Sequence, residues 1–147
     1  MKYITGNILD IKSGTIVHQV NCRNVIGAGL SGQIIKKYPK VESAYHWLFT
    51  KYTANELFKH WQAVPITDNL TIINLFTQFD YGNSAKTHKV YTDVDALVEL
   101  LSLICDQYPN VHIPNGIGCG LAGANWSMLE KKLQHLPLTV VTLQVTT

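Results

Sequence analysis

The chain is short of charge, of cysteine and of long apolar runs, and each shortage removes a class of protein. Lys and Arg number 12 and Asp and Glu 10 among 147 residues, which leaves a net charge of only +2. The basic residues are scattered, so the footprint of a nucleic-acid surface is missing, although a few lysines suffice to attract a phosphorylated ligand. Three cysteines, an odd count without paired spacing, argue against a disulfide framework and against a zinc site. A reducing compartment is therefore the default. The N-terminal residues do not follow the basic, apolar, small-residue order of a secretory signal, and no apolar run approaches the length of a membrane span. Repeats, low-complexity tracts and linkers are missing as well. The expectation is one domain over residues 1–147, long enough for a full core. It is expected to be cytoplasmic and monomeric, with no membrane partner, no metal and no cofactor.

What the sequence does have is glycine, concentrated where a strand gives way to a helix. Asn21-Cys22-Arg23-Asn24-Val25-Ile26-Gly27-Ala28-Gly29-Leu30 follows the apolar run Thr15 to Val20 and precedes Leu30, Ile34 and Tyr38 at helical spacing. Gly27 and Gly29 let backbone N–H groups approach a ligand with no Cβ in the way. The helix N-terminus adds unpaired donors and a positive partial charge, so the stretch suits an anion, most often phosphate. One such loop alone could equally be a tight connection. A second stretch, Ile113 to Trp126, repeats the arrangement with four glycines and Asn125 as an N-cap for a helix carrying Trp126, Leu129 and Leu133. Trp126 reads as core packing. Two loops of this kind can hold a diphosphate from both sides. Neither has the Gly-Lys-Ser/Thr of a Walker loop or the glycine spacing of a dinucleotide fingerprint.

The remaining pattern alternates strand and helix. Strands are predicted at Lys2 to Thr5, Ile16 to Val20, Leu70 to Thr77, Val111 to Pro114 and Thr139 to Val145, with a weak one through Gln62 to Val64. Helices are predicted from about Ala28 to Tyr38, and then with Val41, Tyr45, Leu48, Phe49 and Tyr52 on one face. A third carries Val94, Leu97, Leu101, Ile104 and Cys105 and is capped by Thr92. The last runs from Trp126 to Gln134. Phe79 to Thr92 reads as a loop. Alternation with apolar central strands implies a three-layer α/β/α domain. Ligands in such sheets sit at the carboxyl ends of strands, where both glycine loops, Asn21 and Gln78 to Tyr81 converge.

Gly6-Asn7-Ile8, Val17-His18-Gln19-Val20-Asn21, Gly27-Ala28-Gly29-Leu30 and Gly118-Cys119-Gly120-Leu121 together resemble the macrodomain family, in the right order over nearly the whole chain. Macrodomains bind ADP-ribose. The chain is most similar to the fungal ADP-ribose 1''-phosphate phosphatase and small phage macrodomains, which leaves a phage origin open. Gly6-Asn7-Ile8-Leu9, Lys37-Tyr38-Pro39-Lys40 and Leu75-Phe76-Thr77 carry that closer match. It also resembles macrodomains that remove ADP-ribose from acidic side chains.

The resemblance implies an α/β fold of three-layer α/β/α macrodomain type, with a mixed central sheet of about six strands. It implies that Asn7 and Ile8 meet adenine, with Leu143 and Gln144 flanking it. Gly27, Ala28, Gly29 and Leu30 would hold one side of the diphosphate, and Gly118, Cys119, Gly120, Leu121 and Ala122 the other. Asn21 would bind the distal ribose, or else be a turn residue at a strand end. Glycohydrolases acting on acidic side chains use a lysine and an aspartate; their places hold Gln78 and Ala122, which supply neither a Schiff base nor a general base. Candidates for catalysis are then His18 as acid or base, Asp80 to orient water, and Asn21. His18 is equally readable as a core residue and Asp80 as a turn residue. In a regular strand His18 and Asn21 point to opposite faces, so they share a pocket only if the strand ends or bulges at Val20. Three functions stay open: hydrolysis of ADP-ribose 1''-phosphate or a related ester such as O-acetyl-ADP-ribose, lysine-independent action on ADP-ribosylated protein, and reading of ADP-ribose without turnover.

Overall fold

The computed structural model describes residues 1–143. Strand β1 (Lys2–Thr5) leads through a short 3-10 turn at Ile8–Asp10 to β2 (Gly14–Asn21) and two helices, α1 (Gly29–Lys37) and α2 (Pro39–Leu48). A one-turn helix α3 (Ala54–Leu57) precedes β3 (Trp61–Pro65) and β4 (Leu70–Gln78). The short helix α4 (Ser84–Thr87) and the long α5 (Val94–Gln107) follow, then β5 (Val111–Pro114), α6 (Trp126–Leu133) and β6 (Leu138–Thr142). The six strands form one sheet in the order β1-β6-β5-β2-β4-β3. Only the β3–β4 pair is antiparallel. This is the expected mixed sheet.

The period of two along each strand builds both faces. Val17, Ile73, Leu75, Ile113 and Val140 pack under Leu97, Leu101 and Ile104 of α5 and Leu129 and Leu133 of α6. The neighbours in sequence, Ile16, Ile72 and Val141, point the other way, against Ile34 of α1 and Val41 of α2. Val20 and Phe76 continue that second face under Tyr45 of α2. A strand buried on both faces must be apolar at every position, which is why Leu70 to Thr77 could be read so directly. Trp126 packs against the first core from a partly buried position. Among the described residues no helix is long and apolar enough to cross a membrane.

Four local expectations need correction. Helix α5 is capped by Asp93, whose side chain accepts from the Ala96 N–H at 3.0 Å, and not by Thr92. Thr92 is drawn away because its hydroxyl donates to the Gly118 carbonyl at 2.7 Å. Helix α2 stops at Leu48, so Phe49 is its C-cap and Tyr52, 49% exposed, lies outside the stripe. The stretch after it holds a helical turn whose capping box joins Thr53 and Glu56, a signature the apolar periodicity of so short a segment could not reveal. The loop from Phe79 to Thr92 is interrupted by α4. Strand β6 ends at Thr142, so Leu143 follows it as an exposed residue, while Gln144 and Val145 lie outside the described residues.

Candidate functional site

Chain order and sheet order place the carboxyl ends of β2, β4 and β5 side by side, and a cavity of about 560 Å³ opens there. Gly27, Ala28, Gly29 and Leu30 form one wall and Gly118, Gly120, Leu121 and Ala122 another, with His18, Asn21 and Gln78 among the remaining lining residues. Among the described residues, none that lines it is Asp, Glu, Lys or Arg. The donors these residues offer an anion are therefore neutral: backbone N–H groups, side-chain amides and hydroxyls.

Those donors are present on both sides. Helix α1 begins after Ala28, which offers no side-chain cap, so its first N–H groups are left for a ligand. In the facing loop the N–H groups of Gly118, Gly120, Leu121 and Ala122 take no acceptor among the described residues, although Cys119 and Gly123 close turns onto Gly116 and Gly120. Gly29 has φ +56°, and a Cβ built on it would meet nothing within 4 Å, so it borders open space. Gly32 differs: a Cβ there would stand 2.4 Å from the Gly27 carbonyl oxygen. Only glycine lets the first turn of α1 lie against its own loop, a requirement that glycine spacing alone did not reveal.

The strand carrying His18 and Asn21 shifts register between Val20 and Asn21, which brings Asn21 opposite Gln78. The condition for a shared pocket is met, and both residues line the cavity. Asn21 also organises its own loop. Its Nδ2 donates to the Val25 carbonyl at 2.7 Å and its Oδ1 accepts from the Arg23 N–H at 2.9 Å. Fully buried Tyr45 donates its hydroxyl to the Asn21 backbone carbonyl at 2.9 Å. One Asn21 amide hydrogen remains for a ligand.

His18 is 1% exposed and both ring nitrogens are taken, Nδ1 by Ser31 Oγ at 2.8 Å and Nε2 by Asn74 Oδ1 at 2.5 Å. A backbone carbonyl fixes the polarity of this chain of contacts. The Ala44 carbonyl can only accept, so Gln62 turns its amide nitrogen to it at 2.8 Å and its oxygen to the Asn74 amide nitrogen at 3.0 Å. The Asn74 oxygen then faces His18, the ring carries its proton on Nε2, and Ser31 donates to the bare Nδ1. Burial pushes the His18 pKa down to about 4, against the upward pull of the Asn74 hydrogen bond. A general base working near neutrality needs a pKa near neutrality and a free nitrogen; this ring has neither. In this structure the ring therefore has the burial and the partners of a core residue.

Asp80 is not beside His18. It pairs with Arg23 at 2.5 Å on the exposed rim, and the Arg23 guanidinium lies 4.6 Å over the Phe79 ring. Asp80 does not line the cavity, and neither do Cys119, Asn7, Ile8 and Leu143. The Cys119 thiol donates to the Ile117 carbonyl at 3.3 Å, and burial raises its pKa to about 11. Asn7 caps the 3-10 turn by accepting from the Leu9 N–H at 2.9 Å, and Ile8 is a core residue. Asn7 and Ile8 still share the cavity's rim of the sheet, since Gly6 donates to the Thr142 carbonyl at 2.8 Å. Sequence reasoning placed Gln78 to Tyr81 at this rim, and Tyr81 lines the cavity, but it missed Ser31 and Gln19. Alternation along β2 does not reveal Gln19, because its position points to the face away from His18 until the strand end.

A three-layer α/β/α domain with two glycine loops facing each other across a cavity at the carboxyl ends of its central strands is the arrangement of the macrodomain fold, and solved structures agree. The macrodomain of Mycobacterium tuberculosis DarG superposes with a TM-score of 0.71 at 24% identity, covering 99% of this chain and 97% of that one. Thermosipho africanus DarTG in complex with ADP-ribose gives 0.73 at 18% identity, over 98% of this chain and 42% of that one. A Bacteroides thetaiotaomicron protein of unknown function gives 0.77 at 26% identity, over 97% of both chains. In sequence, the chain is 36% identical over 91 residues to the ADP-ribose 1''-phosphate phosphatase of Saccharomyces cerevisiae, which covers 59% of this chain and 50% of that protein. It is 28% identical over 146 residues to the DNA ADP-ribosyl glycohydrolase of Mycobacterium bovis, covering 92% of this chain and 39% of that one. An uncharacterised 17.5 kDa protein of Enterobacteria phage T4 is 27% identical over 137 residues, 88% of this chain and 85% of its own length. No family model matches the chain. These similarities give the chain the macrodomain fold and support a place in the macrodomain family. It spans half the length or less of the phosphatase and the glycohydrolase that it matches.

Proposed function

We propose that this chain binds ADP-ribose in the cavity and hydrolyses a group carried on it, as ADP-ribose 1''-phosphate or a related ADP-ribosyl ester. The observation that carries the reading is the pair of facing loops with unpaired N–H groups across a cavity without charged side chains. Such loops suit a diphosphate, which is already fully ionised and needs donors more than counter-charges. The names of the yeast and mycobacterial relatives support the same ligand and a hydrolytic reaction. Gln78 and Ala122 at the cavity favour the phosphatase over glycohydrolysis through lysine. Phosphoryl transfer asks mainly for positioning and for donors on the phosphoryl oxygens, which Asn21, Gln78 and the loop amides supply in this reading.

The engaged ring of His18 favours a second reading, an ADP-ribose reader without turnover, because it leaves the cavity without a free acid or base. Calorimetry with ADP-ribose is expected to give a dissociation constant on the order of micromolar, about −8 kcal/mol; no heat at millimolar ligand would remove both readings. Incubation with ADP-ribose 1''-phosphate and with ADP-ribosylated protein then separates them. Released phosphate supports the phosphatase, free ADP-ribose from the protein supports the glycohydrolase, and binding with neither product leaves the reader.

A further inference from the structure

We propose that Gln78 reads the ligand directly, its side-chain amide nitrogen donating to a phosphate oxygen of bound ADP-ribose at the cavity floor. The inference rests on the binding reading above and names a contact within that site. As with His18, a backbone carbonyl fixes the orientation. The Gly118 carbonyl can only accept, so the Thr92 hydroxyl donates to it at 2.7 Å. Thr92 Oγ1 has then spent its proton and accepts from Gln19 Nε2 at 2.9 Å. The same Gln19 nitrogen donates to Gln78 Oε1 at 3.2 Å, while Gln19 Oε1 accepts from Thr77 at 2.7 Å. Both Gln19 amide hydrogens are thereby used, and the side chain cannot flip without placing its oxygen against Thr92 Oγ1. Gln78, with its oxygen held by Gln19, turns its amide nitrogen to the cavity that it lines. That nitrogen has no acceptor among the described residues.

The mount is rigid as well as polar. The Gln78 backbone pairs with Asn21 on one side and bridges to Thr92 on the other. Gly118 has φ +72° and no room for a Cβ, which would stand 2.9 Å from Thr92 Oγ1, so the second glycine loop rests on the relay that orients Gln78. A preoriented neutral donor suits an anionic oxygen, since it needs no reorganisation when the ligand arrives.

Gln78→Glu is the test, because it keeps the oxygen that Gln19 donates to and replaces the donor with a charged acceptor, while Gln78→Met removes the donor without adding charge. ADP-ribose affinity by calorimetry at pH 7.5 is expected to fall by about tenfold or more, the scale of a lost hydrogen bond to a charged group. The loss is expected to recover as pH is lowered to about 5, where the introduced carboxyl begins to protonate and can donate, while the wild type stays flat. Gln78→Met is expected to lose affinity to a smaller, pH-independent extent, with all melting temperatures close to wild type. Wild-type affinity in Gln78→Glu, or a loss that acid does not relieve, overturns the assignment and leaves the binding reading standing. A wild type that binds no ADP-ribose removes both.

Discussion

His18 and Asn74 lie directly opposite each other on the parallel strands β2 and β4 and share a hydrogen bond of 2.5 Å from ring Nε2 to amide Oδ1. Both side chains are buried. Burial holds the ring neutral, and the bond fixes one tautomer, between the two strands that end at the cavity.

The consequence is acid sensitivity. Burial lowers the His18 pKa from 6.5 to about 4, so below pH 6.5 the unfolded chain takes up a proton that the folded chain refuses. The stability contributed by the neutral ring is fully present above pH 6.5 and is lost as pH falls towards 4. At roughly 1.4 kcal/mol per pKa unit, the loss is about 3 kcal/mol. Urea unfolding at pH 7 and pH 4.5 is expected to show this drop in wild type and a smaller one in His18→Gln. If the ring is structural, that variant also keeps wild-type turnover per folded molecule. A collapse in turnover without loss of stability would restore the ring to catalysis.

Gly29 borders open cavity at φ +56°. Gly29→Glu is expected to put a carboxylate into phosphate space and abolish ADP-ribose binding, while circular dichroism shows a folded chain. Gly29→Ala carries the same left-handed strain without the charge, and is expected to bind measurably. Equal loss in both variants would assign the effect to strain.

Gly32→Ala tests the close approach of α1 to its loop. The added methyl would stand 2.4 Å from the Gly27 carbonyl oxygen, so the loop must shift. Overpacking of this kind costs about 1–3 kcal/mol. Denaturant titration is expected to show it, together with weaker ADP-ribose binding. Unchanged affinity would mean that the position of Gly27 is immaterial to the ligand.

Tyr45→Phe removes the hydroxyl that holds the Asn21 carbonyl at 2.9 Å and leaves that acceptor without its buried partner. A cost of about 1–3 kcal/mol is expected. Faster hydrogen exchange is expected to be confined to residues 21–25, with several-fold weaker ligand binding. Exchange spread evenly over the domain would show that Tyr45 serves only the core.

The sequence by itself determined the layers and the loops. Ile16 and Val17, Ile72 and Ile73, and Val140 and Val141 pack on opposite faces because neighbouring strand residues must do so. Two glycine stretches between strand and helix marked the rim, since few other residues permit that backbone. Only the tertiary structure decided what the polar residues do. Which tautomer His18 holds depends on Asn74, 56 positions away, and Asp80 is paired with Arg23 on the rim. The orientation of Gln78 is set through Gln19 and Thr92 by a carbonyl in the second loop. Burial follows from local periodicity, whereas a proton's position follows from partners that the fold brings together from distant parts of the chain.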